Sequence, residues 1–377
     1  MIVAAEASSA LYAQRLLEFW QAQRLPIKAF GVGSRAMENL GFEIFGRSEE
    51  MAVVGLLEVL RHYPQIRKTF HSIVDEVKKR KPKVILLLDY PDFNLRLAKK
   101  LRPLGIPIVY YISPQVWAWR KSRLKDIKKY VDRMLVVLPF EKDFYLQYGI
   151  NVEFVGHPLL DELLPEYFNE QERIHRRQRY GFERDDICIG LMPGSRYSEI
   201  KHHLVTQLQV AEALYSQNKK LKFSLLVAPT FSKNEIQNIL PHYSIPLSVI
   251  QDEPLKMIGL MDLVLCASGT ATLVVGLLCK PMVIMYKMNA FSAFLARQFV
   301  KGTAHFGLIN LILGRRVVPE LFQNEANVLK LTEEIKKYID DKNLRDRTSG
   351  ELLQARRLLG SKGATVRVTE VLKPLLF

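Results

Sequence analysis

Short apolar runs alternate with amphipathic segments along almost the whole chain, and this alternation limits the possible folds more than any other feature of the sequence. Such runs are typical of strands buried on both faces of a sheet, and the segments between them have helical periodicity. Strands are predicted at residues 1–5, 27–32, 84–88, 106–112 and 134–138 in the first half, and at 187–192, 221–227, 248–250, 263–266 and 282–285 in the second. The alternation therefore predicts an α/β protein with parallel, helix-covered sheets.

A polar, arginine-rich stretch interrupts the pattern once, between the fifth and sixth predicted strands. We therefore predict two Rossmann-like, doubly wound domains, an N-terminal one over residues 1–165 and a C-terminal one over residues 186–345. Residues 166–185 form a basic linker in this division, and residues 346–377 form C-terminal helices that could cross back to the first domain. Because doubly wound folds bind ligands beyond the carboxyl ends of their strands, we expect the two domains to face a ligand-binding cleft.

The composition narrows the kinds of partner. The chain has 54 Lys and Arg against 39 Asp and Glu, a formal net charge of +15. This charge favours nucleic acid, phosphorylated substrates or anionic lipid as partners, without choosing among them.

The composition also excludes some classes of protein. Its hydrophobic content of 48% excludes an intrinsically disordered chain. Three widely spaced cysteines predict neither a disulfide framework nor a zinc site, and no metal is expected. No apolar run is long enough to span a membrane, so we expect any membrane contact to be peripheral.

A carboxylate stands where this fold places its ligands. The aliphatic residues 84–88 lead directly into Asp89, at the carboxyl end of a predicted strand. Partial burial beside Tyr90 and Phe93 would raise the pKa of this carboxyl toward that of a general base. The alternative, a turn residue or helix N-cap, suits Asp92 better than Asp89.

Two predicted strands are each followed by a small-residue turn and the start of a helix. In the first turn, the N–H groups of Gly194 and Ser195 would suit a phosphate, and Arg196 would add a charged donor. The second turn offers hydroxyls and close backbone approach for a further phosphate or a ribose. Its candidate residues are Ser268, Gly269, Thr270, Ala271 and Thr272. Ordinary helix capping is the alternative for both turns.

Two tryptophans, Trp117 and Trp119, precede a basic run that begins at Arg120. They could stack on a sugar or line an acyl pocket. They could equally be core aromatics beneath a basic face.

Residues 51–63 are crowded with apolar side chains and are followed by basic residues. If this segment is partly exposed, it is a peripheral membrane helix that combines an apolar wedge with attraction to anionic lipid. The alternative is a buried helix between sheet and cleft. The residues that would enter the bilayer are Met51, Val53, Val54, Leu56, Leu57, Val59 and Leu60.

Together these segments resemble the lipid-A-disaccharide synthase family, glycosyltransferases with the two-domain GT-B fold. The matching stretches occur in family order over nearly the whole chain, and they include MAVVGLLEVL, LLLDYPDFN, YYISPQVWAWR, VVLPFEKDFY, EFVGHPLLD, LMPGSRYSEIK, CASGTATL, KPMVIMYK and VVPELFQNEA. The resemblance implies transfer of 2,3-diacylglucosamine from UDP-2,3-diacylglucosamine to 2,3-diacylglucosamine 1-phosphate, with inversion. The products are the β-1,6 lipid A disaccharide 1-phosphate and UDP. It also implies a peripheral location on the anionic cytoplasmic face of the inner membrane.

The resemblance assigns roles to residues in this sequence. Asp89 matches the family's proposed general base, which would take the proton from the 6-hydroxyl of the acceptor. Arg196 matches an arginine near the leaving UDP, and the turn at residues 268–272 matches the nucleotide-binding turn. Further residues expected to contact substrate are Glu6, Ser8, Asn310 and Arg315. No cofactor is implied, and Arg196 with helix-start N–H groups would take the place of a metal at the leaving group.

The sequence departs from the family in two places that bear on substrate binding. In the first loop, Ala5, Ser9 and Ala10 replace two glycines and an acid. After the second turn, Val274 replaces a glutamate that typically contacts the ribose. These departures motivate an alternative, a divergent paralogue on the same fold with weak or altered transfer, or with glycolipid or nucleotide binding only. A nucleic-acid-binding protein is a third class, but nothing here resembles a nucleic-acid module.

Overall fold

A computed structural model of the protein describes residues 1–51, 56–117, 120–287 and 305–377. The chain divides into two compact units, each built on a parallel sheet. Unit 1 comprises Met1–Asp161 and Gly360–Phe377, and unit 2 comprises Glu162–Leu359. The predicted fold class, α/β with two doubly wound halves, is confirmed. No helix within the described ranges combines the length and apolarity needed to cross a membrane.

The sheet of unit 1 is parallel throughout and reverses its strand order next to its first strand. Its strands are β1 Ile2–Ala4, β2 Phe30–Gly33, β3 Glu43–Arg47, β4 Ile85–Leu88, β5 Ile108–Tyr111, β6 Arg133–Val136 and β7 Val152–Phe154. They lie in the order β3-β2-β1-β4-β5-β6-β7. The order reverses between β1 and β4, so residues just beyond these two strands meet at a topological switch point.

Helices cover this sheet. They are α1 Ala7–Ala22, α2 Arg35–Glu38, α3 Ser48–Met51, α4 Leu56–Arg80, α5 Pro91–Leu101, α6 Arg123–Tyr130 and α7 Pro139–Gln147. The core between helices and sheet is aliphatic and aromatic, as the buried strands β1, β4 and β5 require.

Unit 2 repeats the arrangement. Its strands are β8 Ile187–Met192, β9 Leu221–Leu226, β10 Leu247–Ile250, β11 Leu263–Ala267, β12 Met282–Tyr286 and β13 Glu320–Phe322, in the order β10-β9-β8-β11-β12-β13. Its helices are α8 Glu170–Arg179, α9 Tyr197–Gln217, α10 Lys233–Ile239, α11 Pro254–Leu260, α12 Thr270–Leu277, α13 Leu308–Leu313, α14 Val328–Asp340 and α15 Lys342–Leu358. The switch point of this sheet lies between β8 and β11.

Three strands, β3, β7 and β13, were not predicted from the sequence. Each is short, lies at the edge of its sheet, and has partly exposed positions. An edge strand needs no continuous apolar run, because only part of its surface is buried. The apolar-run criterion therefore misses such strands.

The arginine-rich stretch predicted as a linker contains α8 and is anchored within unit 2. Arg177 is buried, and its guanidinium donates to the Leu260 carbonyl over 2.7 Å and to Asp262 over 2.6 Å. Arg173 donates to the other oxygen of Asp262, also over 2.6 Å. These arginines thus hold α8 against the turn that precedes β11.

The last helix, α16 (Ala364–Leu376), belongs to unit 1. Trp20 on α1 donates its indole N–H to the Thr369 hydroxyl over 2.9 Å. Before the helix begins, the Gly363 N–H donates to Asp161 over 2.5 Å. These buried and partly buried bonds fix the C-terminal segment to the first unit of the chain.

Candidate active site

A strained corner places Asp89 just beyond β4. Asp89 and Tyr90 both have left-handed backbone, with φ of +47° and +45°. Such a conformation costs a non-glycine residue on the order of 1–3 kcal/mol, so other contacts must hold it. The buried Asn94 amide donates to the Leu88 carbonyl over 3.0 Å and to the Asp89 carbonyl over 2.7 Å, and the Tyr110 hydroxyl donates to the same Asp89 carbonyl. The backbone is thereby fixed independently of the Asp89 carboxylate.

The Asp89 carboxyl has the electrostatics of a base that works near neutral pH. Burial, together with the nearby carboxylates of Glu6 and Glu141, raises its pKa to about 7. A hydrogen bond from the Tyr90 N–H opposes these effects. A general base is most effective when its pKa lies near the working pH, so this side chain is matched to proton abstraction.

Glu6 lies at the same switch point, two residues beyond β1. The pairing of Ala4 with Leu88 places the ends of β1 and β4 side by side. Glu6 is the N-cap of α1, with extended φ and ψ of −113° and 156°. Its N–H donates to the Ser9 hydroxyl over 3.0 Å, and this hydroxyl donates back to the Glu6 carbonyl over 2.9 Å. The first loop therefore passes from extended backbone at Glu6 directly into α1, and it needs no glycine at residue 9. Ser8 is exposed in the first turn of this helix.

The neighbouring acid, Asp92, is engaged elsewhere. Its carboxylate accepts a hydrogen bond of 2.5 Å from Arg123 and one of 3.2 Å from Arg120. Asp92 therefore pairs the start of α5 with the residues that lead into α6. Of the two acids considered in the sequence, Asp89 has the surroundings of a base.

In unit 2, the turn after β8 brings together Gly194, Ser195 and Arg196 as predicted, but it also brings in Glu199. The backbone of Gly194 has φ of +131°, and a Cβ there would lie 2.5 Å from the Cβ of Glu199, so this position requires glycine. The Glu199 carboxylate accepts the Ser195 N–H over 2.8 Å and lies 3.4 Å from the Arg196 guanidinium. Arg196 is the N-cap of α9, and its side chain is 49% exposed.

Glu199 was not assigned a role in the sequence, although it lies three residues after the N-cap Arg196, the spacing of an acid that caps a helix start. Its carboxylate accepts a backbone N–H at the start of α9 and lies beside an arginine, which is helix capping. Phosphate binding at this turn stays a prediction. A diphosphate at this site would compete with Glu199 for both donors.

A buried histidine, His203, ties this turn to β12. Its Nδ1 lies 2.8 Å from the Pro193 carbonyl, and its Nε2 accepts the Lys287 N–H over 2.9 Å. The ring is therefore the neutral Nδ1–H tautomer, and burial lowers its pKa. Sequence reasoning missed His203, because its partners lie on other elements and only the apolar face of α9 hinted that it was buried.

The second turn of unit 2 follows β11 at the same switch point as the first. The Ser268 hydroxyl donates to the Phe306 carbonyl over 3.3 Å, and the Thr272 hydroxyl donates to the Gly269 carbonyl over 2.8 Å. Gly269 and Thr270 are exposed, while Ala271 is half-buried. The start of α12 therefore presents backbone and the Thr270 hydroxyl, whereas the other two hydroxyls hold the turn together. Val274 is half-buried, one turn into the helix.

Two residues predicted to contact substrate have structural partners instead. Asn310 is fully buried, and its amide accepts from the N–H groups of Val317 and Val318 and donates to the Glu320 carboxylate over 2.6 Å. It therefore shapes the turn before β13 rather than facing a ligand. The exposed Arg315 pairs with Glu351 over 2.7 Å. Substrate contact by these two side chains stays a prediction.

The predicted membrane residues divide into three groups. Met51, at the end of α3, is 1% exposed and belongs to the core of unit 1, so its side chain is unavailable to a bilayer. Val53 and Val54 lie outside the described residues. For Leu56, Leu57, Val59 and Leu60 the structure describes only the helical backbone at the start of α4. Trp119 also lies outside the described residues.

A family model and individual relatives of known name both match this chain over nearly its whole length. A family model described as lipid-A-disaccharide synthetase matches residues 1–366. A lipid-A-disaccharide synthase from Anaeromyxobacter dehalogenans (strain 2CP-1) is 39% identical over 371 residues, covering 98% of this chain and 95% of the relative. One from Myxococcus xanthus (strain DK1622) is 35% identical over 376 residues, covering 100% and 97%.

Solved structures bear on the fold. The UDP-GlcNAc 2-epimerase from Neisseria meningitidis bound to UDP-GlcNAc has a TM-score of 0.66 at 11% identity, with 99% of each chain covered. An S. aureus MnaA–UDP co-structure has a TM-score of 0.67 at 11% identity, covering 100% of this chain and 97% of the other. At this identity the likeness concerns the fold alone, and it agrees with the predicted GT-B architecture.

Proposed function

This chain belongs to the lipid-A-disaccharide synthase family, and from that premise we propose that it transfers 2,3-diacylglucosamine from UDP-2,3-diacylglucosamine to 2,3-diacylglucosamine 1-phosphate. The products are the β-1,6 disaccharide 1-phosphate and UDP. The observation that carries this proposal is the corner at Asp89. There a carboxyl with a pKa raised to about 7 stands at the switch point of unit 1, on a backbone fixed by Asn94 and Tyr110.

Asp89 is the proposed general base. As the 6-hydroxyl oxygen of the acceptor attacks the anomeric carbon of the donor, its proton passes to the Asp89 carboxylate. The bond between the anomeric carbon and the UDP oxygen breaks in the same displacement, which inverts the configuration. Glu6 and Glu141 assist by keeping the proton affinity of Asp89 high.

Unit 2 is proposed to hold the donor and the leaving UDP. The negative charge on the departing diphosphate is stabilised by Arg196 and by the N–H groups at the starts of α9 and α12. Support comes from the Ser195 N–H and the Arg196 guanidinium, which already bind the carboxylate of Glu199. This carboxylate must release those donors when the diphosphate binds.

The substrates carry acyl chains and a phosphate, so we propose peripheral contact with the anionic cytoplasmic face of the inner membrane. The apolar segment that includes Leu56, Leu57, Val59 and Leu60 is proposed to enter the interface. Arg67 and Lys68, which follow on α4 and are exposed, would attract anionic lipid.

A turnover assay tests the proposed function. Purified protein is mixed with UDP-2,3-diacylglucosamine and 2,3-diacylglucosamine 1-phosphate, and both products are quantified by mass spectrometry. We expect disaccharide 1-phosphate and UDP in equal amounts. UDP release without disaccharide, or no consumption of the donor, would contradict the proposal and favour a divergent paralogue.

A further inference from the structure

The buried carboxylate of Glu141 touches no reacting atom in the proposed chemistry, yet it is close enough to Asp89 to affect its ionisation. Glu141 lies in the first turn of α7 and is 1% exposed. A buried charge is costly unless hydrogen bonds compensate it. Glu141 has three donors: the Ser113 hydroxyl at 2.5 Å, the Trp117 indole N–H at 3.1 Å and the Leu138 N–H at 3.1 Å.

Two of these donors belong to the loop that follows β5. This loop begins beside Asp89, because the Asp89 N–H donates to the Tyr111 carbonyl, at the end of β5, over 3.2 Å. A second residue of α7, Tyr145, donates its hydroxyl to the Pro114 carbonyl of the same loop over 3.2 Å. Residues 113–117 are therefore held to α7 at three points next to the proposed base.

The loop presents an aromatic ring at this edge of the sheet. Trp117 is half-buried, and its ring packs edge-on against Phe140, with centroids 5.0 Å apart and planes at 90°. With its N–H held by Glu141 and its edge held by Phe140, the indole has a fixed orientation. A pre-oriented aromatic surface binds a ligand at low entropic cost.

We propose that Glu141 is a positioning residue for the acceptor: it fixes the loop at residues 113–117 beside Asp89, so that Trp117 forms part of the surface on which the acceptor glycolipid binds. This inference rests on the proposed function. It assigns Trp117 to acceptor binding rather than to the core, the two alternatives that the sequence left open. Glu141 acts through Ser113 and Trp117 and touches no reacting atom.

Three variants test the proposal. Trp117→Phe keeps an aromatic ring but removes the N–H donor, and Ser113→Ala removes only the hydroxyl. Both should raise the KM for the acceptor about 3- to 10-fold, because the fixed orientation of the loop depends on each of these hydrogen bonds. The KM for the donor should be nearly unchanged, and the Tm should fall by only a few degrees. Calorimetric titration with 2,3-diacylglucosamine 1-phosphate alone should show the same loss of acceptor affinity, because binding needs no donor and no turnover. If the proposed function is wrong, the wild-type protein itself will fail to form the disaccharide, and this result is independent of the variants.

The third variant, Glu141→Gln, is tested by the pH profile of kcat/KM, which a purely structural role of Glu141 would leave unchanged. The titratable groups around Glu141 are Asp89 and Tyr145, and those around Asp89 include Glu6 and Tyr110. Burial raises the pKa of Glu141 itself to about 7, so its charge forms over the same pH range as that of Asp89. Removing this charge should shift the upper part of the acid limb of kcat/KM toward lower pH and leave the lower part, where Glu141 is already neutral, unchanged. Glu153→Gln, which neutralises an exposed carboxylate of unit 1, is the matched control and should not shift the acid limb.

Two results would overturn the proposal. One is unchanged acceptor affinity in both Trp117→Phe and Ser113→Ala. The other is an equal rise of the donor and acceptor KM together with a lower Tm, which would mean general destabilisation. If Glu141→Gln does not fold, the two loop variants still decide the outcome.

Discussion

The hydroxyl of Tyr90 donates a hydrogen bond of 2.9 Å to the carbonyl of Met51. This bond joins the corner that holds the proposed base to the last residue of α3. Met51 itself is buried in the core of unit 1. The residue at which the predicted membrane segment begins is therefore part of the scaffold of the active site.

Substitutions at Met51 and at Leu60 should distinguish a residue that stabilises the fold from one that contacts the membrane. Met51→Ser should lower the free energy of unfolding by about 2–5 kcal/mol, as large-to-small core changes do, as measured by urea denaturation. Leu60→Ser should leave unfolding nearly unchanged and reduce sedimentation with anionic vesicles. If Leu60→Ser unfolds the protein instead, the start of α4 is core and the membrane proposal fails.

The pH dependence of transfer should follow the ionisation of Asp89. Because its pKa is raised to about 7 and the base must be deprotonated, kcat/KM should rise with pH up to about 7 and then level off. The acid limb should have a slope of one proton. A profile that is flat from pH 5 to 8 would contradict this assignment.

The same ionisation should affect stability with a definite sign. The folded pKa of Asp89 lies above its ordinary value of 3.8, so the folded state binds its proton more tightly than the unfolded state. Stability is thus lost as pH rises from about 4 through about 7. Asp89→Asn cannot ionise, and it should gain stability relative to the wild type between pH 5 and 8 in urea unfolding.

Arg196 should bind the diphosphate. Arg196→Ala should weaken UDP binding by about tenfold or more, since a charged hydrogen bond is worth roughly 1.5–3 kcal/mol, and should also lower turnover. Lys330→Ala is the matched control, because that cationic side chain is equally exposed and paired with Glu325 in the same unit. Equal UDP affinity in both variants, measured by calorimetry, would give Arg196 a structural role.

Val274 should be a position where UDP binding can be improved. Val274→Glu would supply a carboxylate for the ribose hydroxyls and should tighten UDP about tenfold. Val274 is half-buried, one turn into α12. The gain should disappear with a nucleotide that lacks ribose hydroxyls, which separates a hydrogen bond from a general charge effect. Unchanged affinity for UDP would mean that residue 274 does not face the ribose.

The parts of the site that follow from chain order alone were predictable from the sequence. Apolar runs located β4, β8 and β11, and the residues directly beyond them include Asp89, Gly194 and Ser268. Within the sheet of unit 2, the parallel doubly wound order places the ends of β8 and β11 side by side, and within unit 1 it places the end of β4 beside that of β1. The fold and the main candidate residues therefore followed from periodicity.

What the sequence could not supply depends on contacts between distant residues. His203 and Lys287 are 84 residues apart, and their hydrogen bond exists only once α9 packs beside β12. The burial of Asn310 and the left-handed backbone of Asp89 likewise follow from their neighbours in space. The family resemblance gave Asn310 a substrate-binding role, and only the structure shows that its amide also holds the turn before β13.

The most direct test of the central claim is the turnover number of Asp89→Asn in the two-substrate assay. Asparagine has nearly the same shape but cannot take the proton from the acceptor hydroxyl. We predict a fall in kcat of about 10²–10⁴-fold, with UDP affinity and folding retained. A variant that keeps most of the wild-type kcat would show that Asp89 is not the base and would contradict the account.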